Sequence, residues 1–108
     1  MRVEGGRQPS ITVTVRNVGG QAGSDVPQIY LTRLAGQPTR RLVAFSRVSL
    51  GAGESRVIHL RVERKLLAQW TEQGWMIPAG RFEFAVGRSA LELEANASVQ
   101  LQQARLGR

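Results

Sequence analysis

The 108-residue chain has no cysteine, one histidine, one tyrosine and, among its 15 basic residues, one lysine (Lys65). Without cysteine, neither a disulfide framework nor a thiolate-held metal can form. One histidine, His59, rules out the histidine clusters that hold zinc and leaves any nucleophile with a single candidate base. No apolar run approaches the roughly 20 residues of a membrane-crossing helix. No cofactor, metal or membrane span is therefore expected. A chain of this length buries enough surface for one core without crosslinks, so the missing cysteine does not choose between cytoplasm, periplasm and secretion.

Acidic residues are also scarce, eight against 15 basic ones, for a net charge of +7. Such an excess can mark a nucleic-acid or anionic-membrane partner. Here the arginines run from Arg2 to Arg108, and only Arg40-Arg41 and Arg64-Lys65 are adjacent. No basic stripe interleaves with aromatic residues, as single-strand binders require. The charge is read as a solvated surface, with no nucleic acid as partner.

What is present is strand and turn, repeated. Ile11, Val13 and Val15 alternate with Thr12, Thr14 and Arg16, the period of a half-buried strand over 10–16. Asn17, Gly19, Gly20 and Gly23 then let the chain reverse. A second strand is expected over 26–32, apolar on both faces and hence central or covered, with Pro27 at its start. Residues 34–41, with Gly36 and Pro38, read as a loop. A third strand over 42–50 has Leu42, Phe45 and Val48 at odd spacings, which predicts a bulge near 44–47. The fourth strand, 55–62, should turn Ile58, Leu60 and Val62 inward.

From 63 to 70 the period changes. Leu66, Leu67 and Trp70 suggest one or two helical turns plugging an end of the fold. A short strand at 75–77 and a Pro78-Ala79-Gly80 turn follow. Phe82, Phe84 and Val86 then alternate with Glu83 and Ala85, and a last strand alternates over 91–101. Residues 1–9 read as a flexible lead-in or linker remnant, 10–101 as the domain, and 102–108 as a frayed tail. Short antiparallel strands at this spacing with one helical turn predict an all-β, fibronectin type III- or immunoglobulin-like sandwich.

Residues able to carry chemistry are few. By alternation His59 lies on the outward face with Val57 and Arg61, with no serine or acid placed to complete a triad. Glu83 with Glu92 or Glu94 could form a carboxylate pair, but each occupies a regular solvent-facing strand position. Asp25, Glu54 and Glu63 lack an aspartate-rich loop for calcium. Gly51-Ala52-Gly53-Glu54-Ser55-Arg56 starts like a dinucleotide fingerprint but ends in arginine and leads into a strand. Catalytic residues are expected to be none. The remaining candidates are contact residues: Tyr30, Ile29 and Leu31 on the doubly apolar strand, and Trp70 and Trp75. They are expected to meet another domain, or to stack against a sugar ring.

The ordered set carries a resemblance. Val13–Asn17, Gly19, Ala22-Gly23 and Gln28-Ile29-Tyr30-Leu31 come first. They are followed by Leu42, Phe45-Ser46-Arg47-Val48, Leu50, Gly53-Glu54-Ser55, Leu66, Trp70, Gly74-Trp75, Pro78-Ala79-Gly80 and Val86-Gly87. This series resembles the fibronectin type III-like domain of family 3 glycoside hydrolases, of the β-glucosidase and β-xylosidase type. The resemblance implies a non-catalytic accessory domain that packs against the catalytic domains of a parent hydrolase. Those domains carry the nucleophile and the acid, so no catalytic residue maps onto this chain. The alternative is a module that binds polysaccharide or lignin and brings the enzyme to its substrate.

Overall fold

A computed structural model describes residues 1–6, 9–87 and 93–107. In chain order the strands are β1 (Arg2–Glu4), β2 (Ser10–Arg16), β3 (Gly23–Asp25), β4 (Gln28–Leu34), β5 (Gln37–Phe45), β6 (Val48–Leu50) and β7 (Ser55–Arg61). A 3₁₀ turn, Arg64–Leu67, leads to β8 (Gln69–Thr71), β9 (Gly74–Ile77), β10 (Gly80–Gly87), β11 (Leu93–Leu101) and β12 (Ala104–Gly107). One layer has the order β1-β2-β7 and the other β11-β10-β4-β5. Two small sheets, β12-β9-β8 and β3-β6, complete the described strands. The expected all-β architecture is what the chain forms.

Alternation builds the core. Ile11 of β2 packs with Ile29 and Leu31 of β4 and Phe82 and Phe84 of β10 in one core cluster, and all five are fully buried. Burying each of the two phenylalanines stabilises the fold by about 2–3 kcal/mol. The chain places β4 between β10 and β5, which explains its apolar character. Pro27, with no amide to donate, stands just outside β4 and accepts a hydrogen bond from the Ser46 amide at 3.4 Å.

The structure departs from the sequence reading in several places. The segment 34–41 is a two-residue hairpin rather than a loop, with Leu34 opposite Gln37. Ala35 (φ 51°) and Gly36 (φ 88°) both take the left-handed conformation that such a turn demands. Tertiary contact holds Ala35 there. The Gly36 amide donates to the Arg81 carbonyl at 2.9 Å, and a Cβ on Gly80 would stand 2.9 Å from the Ala35 Cα.

The bulge expected near 44–47 sits earlier, where Ile29 faces Ala44 but Tyr30 faces Leu42, leaving Val43 as the extra residue. Val43 turns inward and is buried. The chain then leaves this sheet at residues 46–47, and β6 pairs with β3. In β7, an edge strand, Ile58 and Leu60 are only half-buried, while Val62 beyond its end is fully buried.

The helical segment is a single 3₁₀ turn of four residues, and Trp70 lies outside it on β8. Residues 2–4, read as lead-in, pair with β2, and residues 104–107, read as tail, pair with β9. Strands of three or four residues are too short to register as periodicity.

Candidate interaction surface

The polar candidates are occupied with structural bonds. The Glu83 carboxylate lies 2.9 Å from Arg33 Nε on the neighbouring strand and 3.3 Å from Arg81 Nη2. Its register partner on β11 is Ser98, four residues from Glu94, so the two acids are separated by about 13 Å along the strand. Glu92 lies outside the described residues. His59 stands opposite Thr12, and its Nδ1 is 3.0 Å from the Thr12 hydroxyl. Asp25 accepts from the Val26 amide at 2.8 Å, and Glu54 from the Gly51 amide at 3.0 Å. Among the described residues no three histidine, cysteine or acidic side chains group to hold a metal.

The five contact residues separate into two kinds. Ile29 and Leu31 are fully buried in the sandwich core, so neither can touch another domain or a ligand. The reason is that the opposite layer covers that face, with Ile11 of β2 in the same core cluster. Tyr30 points the other way, half-buried, with its hydroxyl donating to Gln28 Oε1.

Trp70 and Trp75 sit opposite one another on the β8–β9 hairpin. Their rings meet edge-to-face, with centroids 5.4 Å apart. Lys65 Nζ lies 5.1 Å from the Trp75 ring centroid. Thr71 fastens the turn, its hydroxyl donating to the Gly74 carbonyl at 2.8 Å and accepting from the Gln73 amide at 3.2 Å. Trp75 packs against the core, whereas Trp70 is left 59% exposed.

A second exposed feature was legible only as an irregularity. Because Val43 is bulged inward, Leu42 and Phe45 face outward, opposite Tyr30 and Gln28. They are 41% and 65% exposed. With Leu60 and Leu66 they line a shallow concavity of about 340 Å³, where the edge of one layer (β5) meets the edge of the other (β7). Arg41 supports its floor, donating to the Leu66 carbonyl at 2.7 Å and thereby fixing the 3₁₀ turn to β5. The odd spacing of Leu42, Phe45 and Val48 was the signal for this surface.

Comparison with known proteins accords with the all-β sandwich. Residues 25–90 match the family model of the fibronectin type III-like domain. "Probable beta-glucosidase G" of Aspergillus flavus is 36% identical over 96 residues, covering 83% of this chain and 12% of that protein. Beta-glucosidase 3B of Thermotoga neapolitana, solved with α-D-glucose, superposes with a TM-score of 0.87 at 27% identity, covering 98% of this chain and 16% of that one. DesR, a β-glucosidase of Streptomyces venezuelae solved with D-glucose, gives 0.80 at 33% identity, covering 92% and 14%. The chain thus spans about an eighth of the length of the curated relatives it matches. It belongs to the fibronectin type III-like domain family, in the form that family 3 β-glucosidases contain.

Proposed function

We propose that this chain is a non-catalytic accessory domain that packs against the catalytic part of a β-glucosidase-like family 3 glycoside hydrolase and stabilises it. One observation carries the reading. Virtually the whole chain (98%) superposes on a part amounting to 16% of the Thermotoga enzyme. The polar groups described above support it, because each is engaged in holding strands or turns rather than converging on a cleft.

The test uses that enzyme as scaffold. Deleting its matching segment should lower the temperature at which half its activity is lost, and inserting this chain in the same place should restore part of the loss. The purified 108-residue chain alone should release nothing from a chromogenic β-glucoside. An insertion that folds yet confers no thermal protection would remove the stabilising role.

Trp70 favours a second reading, binding to polysaccharide or lignin, since an indole left 59% exposed on a fastened hairpin suits stacking on a ring. Pull-down of the chain on cellulose, xylan and lignin at moderate salt distinguishes the two. Retention that Trp70→Ala abolishes supports the polymer-binding role, and full recovery in the supernatant removes it.

A further inference from the structure

We infer that the concavity around Leu42, Phe45, Leu60 and Leu66 is the face on which this chain meets the rest of its parent protein. The complementary surface there has an apolar centre rimmed by carboxylates. This rests on the accessory-domain reading above.

Three observations converge on that face. First, it joins the exposed Phe45 and Leu42 with the half-buried Leu60 and Leu66. Isolated exposed apolar residues are ordinary, whereas a contiguous set at one place marks an interaction surface. Second, it lies where β5 and β7, one edge strand of each layer, come side by side. Open edges are a hazard that a covering element removes. Third, the charges beside it are mostly positive. Arg61 lines the concavity and Arg41 reaches its floor at the Leu66 carbonyl, against Glu63 as the single acid of the lining. In a chain of net charge +7, the matching rim is acidic.

The occupant is the parent chain rather than a free ligand. The relatives that contain this domain are roughly eight times its length. The concavity is also too shallow and open to enclose a small molecule, which needs a cleft burying most of its surface.

The experiment uses the Thermotoga enzyme with this chain inserted, and compares its backbone hydrogen exchange with that of the isolated chain. Segments 42–45 and 60–66 should slow at least tenfold in the insertion, while β2, whose outward face carries Thr12 and Thr14, keeps its isolated rate. Phe45→Arg should cancel the slowing and the thermal protection, yet leave the unfolding midpoint of the isolated chain unchanged. Arg61→Glu should weaken both in the same direction.

Slowing confined to another face would overturn this inference and leave the accessory role standing. Slowing nowhere in a folded insertion would overturn both. If the Thermotoga insertion does not fold, the same comparison is made in the DesR enzyme.

Discussion

A single asparagine shows how much of this domain's loop structure depends on side-chain amides. Asn17 follows β2, and its Nδ2 donates to the Gln21 carbonyl at 2.8 Å and the Leu50 carbonyl at 3.2 Å. Its Oδ1 accepts from the Gly19 amide at 2.9 Å, and its backbone exchanges hydrogen bonds with Gly53 and Glu54, each 2.9 Å. One residue therefore ties the turn after β2 to the turn before β7. Asn17→Ala should destabilise the domain by about 1–3 kcal/mol, because a partly buried carbonyl and an amide lose partners that water only partly replaces. Asn17→Asp keeps the acceptor but not the donor and should fall between the two. Urea unfolding followed by tryptophan fluorescence measures both, with an unchanged slope if only the native state is affected.

Elements were legible in proportion to their periodicity. The strands at 10–16 and 82–86 emerge from alternation alone, since both bury one face against the opposite layer. What escaped were features decided by contacts distant in sequence. The 34–37 hairpin lacks the Asn-Gly or Asp-Gly pair that announces such turns, and its Ala35 is held by Gly80 and Arg81 from β10. Likewise Ile29 and Leu31 read as available contact residues because alternation does not disclose which face of β4 the opposite layer covers. Phe45, by contrast, was visible as an out-of-phase residue, but its direction depended on where the bulge fell.

Ala35→Asn retains the Cβ that packs against Gly80 while better tolerating the left-handed backbone, and should stabilise the domain by about 0.5–1 kcal/mol. Gly80→Ala should do the reverse, by about 1–3 kcal/mol, as the added methyl drives into the Ala35 backbone at 2.9 Å. Thermal unfolding of the two variants beside the parent chain checks the opposite signs. A second arrangement can be tested through Arg41, whose guanidinium bonds the Leu66 and Ala68 carbonyls. Arg41→Met keeps the stem but removes the donors. Amides of residues 64–68 should then exchange faster, while those of β4 and β10 keep their protection.

The whole molecule exposes more surface than its mass requires. Its 6877 Å² exceeds by roughly 900 Å² the 5,950 Å² or so expected of a compact 11.9 kDa monomer. The body is 53 Å long, and its radius of gyration is 15.2 Å against about 13 Å for a compact domain of this length. Alone in solution, the chain must keep its apolar concavity from self-association by other means, and the available means is its charge of +7. Repulsion between copies is long-ranged only at low ionic strength, because the screening length falls from about 10 Å at 0.1 M salt to about 3 Å at 1 M. Apolar attraction survives that change. Light scattering from the isolated chain should therefore stay monomeric in dilute buffer and rise as sodium chloride approaches 1 M. Phe45→Ser should suppress the rise while shifting stability by less than about 0.5 kcal/mol, since the ring is 65% exposed and contributes little to the core. If the serine variant associates as readily as the parent chain, the surface that drives association lies elsewhere, and the exposed indole of Trp70 is the next position to substitute.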